Sequence, residues 1–217
     1  MYAENDAKEI QKILEHQKGK IYNEVKVDSL IGKEFLRKNL YSTIEAIADE
    51  ANVEDTILVY ISTHGEVVNG KFRLLPYNNK KGANLINFDE LFQKVQSIKA
   101  LNQIFMVDAC QSGKANDMVS AIYDAKASVL AKSAGVHLLL ATTKGTSAFE
   151  SENPNIKNGL FTDRVLSALK SQETDKNGDG VISIIELSNR LKEPQEGSEY
   201  QHPIIRNVGG DVGLVGL

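Results

Sequence analysis

Gln103-Ile104-Phe105-Met106-Val107-Asp108 is an apolar run that leads straight into Ala109-Cys110 and the turn-forming Gln111-Ser112-Gly113. It reads as a strand buried on both faces and ended by a turn. A second run of the same kind lies upstream. Thr56-Ile57-Leu58-Val59-Tyr60-Ile61-Ser62 is β-branched and apolar, and it ends in Thr63-His64-Gly65. Strands buried on both faces belong to sheets covered by helices, so these two stretches set the fold class.

The intervening segments supply the helices. Ala3 to Gln17 carries Ile10, Ile13 and Leu14 at helical spacing, and Lys33 to Asn52 carries Phe35, Leu36, Leu40, Ile44, Ile47 and Ala48. Phe88 to Ile98 is a helix with Asn87 as N-cap and Glu90 three residues on. Asp117 to Ala131, Leu160 to Leu169 and Ile184 to Leu191 are further helices. Tyr22 to Asp28 alternates as a half-buried strand does, Val136 to Ala141 is a strand, and Val212 to Val215 reads as an edge strand. Asn69-Gly70, flanked by strand formers, marks a hairpin. Strands alternating with helices predict an α/β layered fold around a mainly parallel sheet.

Bulk properties narrow the function. The chain has 217 residues, 41% hydrophobic and 25% charged, which suits one soluble domain and argues against disorder. A net charge of −4 with scattered lysines and arginines gives no reason to expect nucleic acid as a partner. No apolar stretch approaches the roughly 20 residues that span a bilayer. The polar start, Met1-Tyr2-Ala3-Glu4-Asn5-Asp6, is unlike a signal peptide, so a cytoplasmic location is expected. With one cysteine, no disulfide forms within the chain and no zinc site is built on several thiolates.

Both apolar strands end in reactive residues. Functional groups gather at the carboxyl ends of strands in open α/β sheets, because the backbone stops pairing there and loops open a crevice. If the two strands are parallel neighbours, His64 and Cys110 share one rim. A histidine beside a cysteine takes the thiol proton during attack, or holds a thiolate–imidazolium pair. Gly65 permits close backbone approach, and its N–H with that of Cys110 would form an oxyanion hole. The bland alternative is a packed histidine and an inert buried thiol. Asp108 lies two residues before the cysteine, on the same side of a strand, where its carboxylate would pair with a substrate lysine or arginine. Its alternative role is a strand-end cap that accepts loop N–H groups.

These two segments, Tyr60-Ile61-Ser62-Thr63-His64-Gly65 and Asp108-Ala109-Cys110-Gln111-Ser112-Gly113, resemble the catalytic segments of caspase-like peptidases. The likeness is to metacaspases and their bacterial relatives, because Asp108 stands where the caspase signature has glutamine. It extends through Tyr2-Ala3-Glu4-Asn5-Asp6-Ala7-Lys8, Leu74-Leu75-Pro76, Gly159-Leu160-Phe161-Thr162 and Gln201-His202-Pro203. The resemblance implies that residues 1–217 form a single three-layer α/β/α peptidase domain that hydrolyses peptide bonds after Arg or Lys through a thioester acyl-enzyme. It also implies that Glu150 is a second acid of the specificity pocket, against the alternative of a solvated loop acid. Members of the family usually carry a central strand before the first helix, so a gap in the sheet is expected beside the His64 strand. A contrasting implication is a catalytically silent scaffold or calcium-responsive interaction module. The intact His64 and Cys110 favour the enzyme.

One motif stands apart. Asp175-Lys176-Asn177-Gly178-Asp179-Gly180-Val181-Ile182-Ser183-Ile184-Ile185-Glu186 has the spacing of a calcium loop. Side-chain oxygens come from Asp175, Asn177, Asp179, Ser183 and Glu186, and a backbone carbonyl comes from Val181. The alternative is a metal-free turn rich in Asp and Asn. No organic cofactor is expected. His16, His137 and His202 read as ordinary.

Overall fold

The computed structural model describes residues 2–77, 84–109, 135–141, 158–194 and 203–217. Its centre is a four-stranded sheet in the order β1–β5–β6–β8, made of Thr56–Ser62, Asn102–Asp108, Gly135–Leu140 and Ile204–Val208. β1, β5 and β6 are parallel, and β8 runs antiparallel at one edge. That edge strand is missed by the apolar pattern because Ile204-Ile205 is its only apolar pair before Arg206 and Asn207.

Side chains alternate across the sheet and make two cores. Ile57, Val59, Ile61, Phe105 and Val107 face α2 (Arg37–Glu50) and α3 (Phe88–Gln96). On that side the Phe92 and Phe105 rings lie 4.7 Å apart. Leu58, Tyr60, Ile104 and Met106 face α1 (Ala3–Glu15), α4 (Leu160–Leu169) and α5 (Ile184–Lys192). The result is the expected three-layer α/β/α arrangement.

The Asn69-Gly70 hairpin forms between β2 (Gly65–Val68) and β3 (Lys71–Leu74). Both turn residues have positive φ, 53° and 75°, which is what a two-residue hairpin turn demands. β3 also pairs with the short β4 (Ile86–Asn87), whose last residue caps α3 by accepting the Asp89 N–H at 3.2 Å. The helix expected from Lys33 begins later, because Gly32–Glu34 form a 3₁₀ turn and α2 starts only at Arg37.

Tyr22 to Asp28 is not a strand. Val25 and Val27 are half-buried while Glu24, Lys26 and Asp28 are exposed, so the alternation predicted the burial correctly. A strand also needs a ladder partner; Tyr22 makes an isolated bridge to Lys18, but among the described residues no strand pairs with this segment or with the outer edge of β1. β1 is half-buried along most of its length, whereas β5 beside it is buried almost throughout. The expected tail strand exists as β9 (Gly213–Gly216), but it pairs with β7 (Val181–Ser183) inside the 175–186 loop rather than with the main sheet. The helix expected at Asp117 to Ala131 lies outside the described residues, as does His202. His137 is buried in β6 and bonded to Asn207 Oδ1 at 3.1 Å; burial pushes its pKa down.

Candidate active site

The register of β1 on β5 runs from Thr56 opposite Asn102 to Ser62 opposite Asp108. The two strands therefore finish level. Thr63 extends the pairing by one bond, its N–H donating to the Asp108 carbonyl at 3.1 Å. Its hydroxyl donates to the Leu75 carbonyl at 2.7 Å, and the Leu75 N–H donates to the His64 carbonyl at 2.9 Å. His64 is thus held by its backbone on the β2–β3 side while its side chain remains exposed. Gly65 opens β2 opposite Leu74, with an ordinary negative φ. Asp108, the last residue of β5, and Ala109 just beyond it are buried. Cys110, the next residue in the chain, lies outside the described residues, and so does Glu150.

Asp108 does not stand open at the rim. It is 6% exposed, and its Oδ2 accepts both the Thr162 hydroxyl, at 2.6 Å, and the Thr162 N–H, at 3.3 Å. Thr162 is in the first turn of α4, whose N-cap Gly159 has no side chain to offer. A carboxylate from β5 thereby satisfies a helix N–H that the helix itself leaves bare.

A second acid joins it. Asp6 of α1 is 1% exposed and accepts the Ser62 hydroxyl at 2.9 Å and the Gly159 N–H at 3.1 Å. Both carboxylates converge on Gly159. A Cβ there would lie 2.6 Å from Asp108 Oδ2 and 3.4 Å from Asp6 Oδ2, so only glycine fits without displacing them. Asn5 Nδ2 donates to Asn158 Oδ1 at 2.6 Å and ties the same helix to the same loop. Burial pushes the Asp6 pKa up to about 6; Asp108 and Asp163 add to the rise, and the Ser62 and Gly159 bonds oppose it. Burial also raises Asp108, against its two bonds from Thr162. Burial, then the negative charges of Asp108 and Asp6, keep the Tyr60 phenol protonated; its oxygen is 2.6 Å from Thr162 Oγ1.

Asp6, Ser62, Tyr60 and Thr162 were not singled out by the sequence. One signal was legible: Asp6 is four residues before Ile10, on the apolar stripe of α1, where an acid is out of place. A family model of the caspase domain, Peptidase_C14, matches residues 1–207.

The chain belongs to the caspase-domain family.

Among solved structures, this caspase domain is similar to protein GSU0716 from Geobacter sulfurreducens, at 17% identity and a TM-score of 0.64. The match covers 95% of this chain and 84% of that one, and it shows the shared fold. No curated protein sequence matches the chain. Among the described residues, no helix is long and apolar enough to cross a membrane.

The loop at 175–186 lies apart from this rim. Its donors fit calcium in kind and order, yet their oxygens are turned to the backbone. Asp175 accepts the Gly178 and Gly180 N–H groups at 2.8 and 2.9 Å, and Asp179 accepts the Val181 N–H at 2.8 Å. Glu186 accepts the N–H groups of Lys176 and Ser183 at 2.8 and 3.0 Å. Among the described residues, no three His, Cys, Asp or Glu side chains are gathered around a point that could hold a metal.

Proposed function

We propose that this caspase domain is a cysteine endopeptidase that cleaves after Lys or Arg. Cys110 attacks the scissile carbonyl and His64 takes its proton, then returns it to the leaving amine. The N–H groups of Gly65 and Cys110 hold the oxyanion, and water releases the thioester. The observation that carries this reading is the register of β1 against β5. The chain reaches His64 two residues after Ser62 and Cys110 two residues after Asp108, and Ser62 and Asp108 are paired neighbours.

The preference for a basic residue draws support from two buried carboxylates, Asp6 and Asp108, at the end of the strand that precedes the nucleophile. Glu150 is proposed as a further acid of the same pocket. An acidic substrate side chain would meet like charge there, which costs several kcal/mol in a desolvated site. The test is turnover of Arg, Lys and Asp peptide reporters by the wild type and by Cys110→Ala. Basic reporters should be cleaved and the Asp reporter left intact, with activity falling about 10³-fold or more in the variant. Preference for Asp would refute the specificity, and full activity without the thiol would refute the mechanism.

We also propose that the 175–186 loop binds calcium through Asp175, Asn177, Asp179, the Val181 carbonyl, Ser183 and Glu186. The carboxylates would exchange their backbone N–H donors for the ion.

A further inference from the structure

We propose that Thr162 is the positioning residue of the specificity pocket, holding one oxygen of Asp108 inward so that the other faces the substrate cation. This rests on the reading of Asp108 as the acid that selects a basic side chain. Thr162 is wholly buried, so its hydroxyl serves neither substrate nor bulk water. Both of its donors go to the same atom, Oδ2 of Asp108, and among the described residues Oδ1 accepts no hydrogen bond. A carboxylate gripped on one oxygen by two donors from one residue cannot turn about its terminal bond without breaking both. The orientation is therefore set by α4 and not by β5, which supplies the acid.

The hydroxyl can give only one hydrogen. An ionised Asp108 has none to offer, so Thr162 Oγ1 donates to it and receives the phenol hydrogen of Tyr60, 2.6 Å away. The chain from Tyr60 through Thr162 to Asp108 then runs in one direction. Such a chain strengthens each of its members. Its charged and titratable surroundings are Asp6 on α1, Tyr60 on β1 with His64 beyond its end, and Asp163 on α4 next to Thr162. Apart from His64, these neighbours are acids or a neutral phenol, so Thr162 is the main described group that favours an ionised Asp108. Gly159 completes the arrangement by leaving the space into which Oδ2 is drawn.

The test compares Thr162→Val, which keeps the branched shape, with Thr162→Ser, which keeps the hydroxyl. Two measurements are made: the pH profile of kcat/KM on an Arg reporter, and carbon NMR titration of the Asp108 carboxyl. In the valine variant KM should rise about tenfold with kcat little changed, because the lost interaction orients bound substrate. The acid limb should move to higher pH by about one unit, as a carboxylate that loses a donor becomes harder to ionise. Serine should restore both. Should valine prevent folding, Thr162→Ala takes its place in the same measurements. A folded variant with an unmoved acid limb and an unmoved Asp108 titration overturns the proposal, since loss of packing alone lowers stability without shifting either. If the wild type cleaves no basic reporter, the specificity reading fails first. The NMR titration still decides whether Thr162 governs Asp108.

Discussion

The molecule uses carboxylates to satisfy backbone N–H groups in two places, with opposite electrostatic results. At the start of α4, Asp6 and Asp108 sit together under the sheet rim, and both have raised pKa values. In the 175–186 loop, Glu186 closes the turn, and its pKa is lowered. Burial pushes all three upward. At Glu186 the N–H groups of Ser183, Asn177 and Lys176 and the Ser183 hydroxyl more than offset that. At Asp6 burial is the largest influence, and the negative charges of Asp108 and Asp163 add to it, so it outweighs the bonds from Ser62 and Gly159. The same type of bond yields a poised acid or a fixed anion according to its company. A poised acid suits the proposed pocket for a cation, whereas a fixed anion holds the metal-free loop in shape.

The most direct way to break this contrast is to remove one charge from each place. Asp108→Asn should lower kcat/KM on an Arg reporter by about 100-fold while the thiol still reacts normally with a small alkylating agent. Asp179→Asn should leave the same reporter within about twofold when calcium is absent, since Asp179 is exposed on a loop outside the proposed pocket. Equal losses in the two variants would erase the distinction between the sites.

Protons sharpen it further. Because the folded pKa of Asp6 is raised from 3.8 to about 6, the folded chain binds this proton more tightly than the unfolded one. Its contribution is most favourable below about pH 4 and falls as pH rises to about 6. Relative to Asp6→Asn, the wild type should lose about 2–3 kcal/mol of stability between pH 4 and pH 7 in urea titrations. A difference that stays flat with pH would show that Asp6 titrates normally.

The smallest effect belongs to the loop. Glu186→Gln should cost about 1–2 kcal/mol in urea denaturation without calcium, because an amide has one good acceptor oxygen where the carboxylate has two. The wild type should show calorimetric heat at millimolar calcium and the variant should not. Absence of heat in folded wild type would make the loop a metal-free turn.

Much of this was legible in the chain itself. The apolar runs at Thr56–Ser62 and Gln103–Asp108 predicted two buried strands, and Asn69-Gly70 predicted the hairpin turn, because local sterics and burial on both faces leave a periodic trace. His64 and Cys110 stood out for the same reason, as reactive residues at apolar strand ends. Whether those strands were adjacent and level was not in the pattern. Register is a property of two strands at once, and only their pairing brought Ser62 opposite Asp108. The alternation at Tyr22 to Asp28 told which side chains turn inward but not whether a neighbour would complete the ladder. Likewise the acid at position 6 was visible as an oddity on an apolar stripe. Its meaning came from α4, which begins 153 residues later at Gly159 and offers both acids its unpaired N–H groups. A helix terminus acts on whatever the fold sets before it, so Asp6 and Asp108 became neighbours of one charge site only in three dimensions.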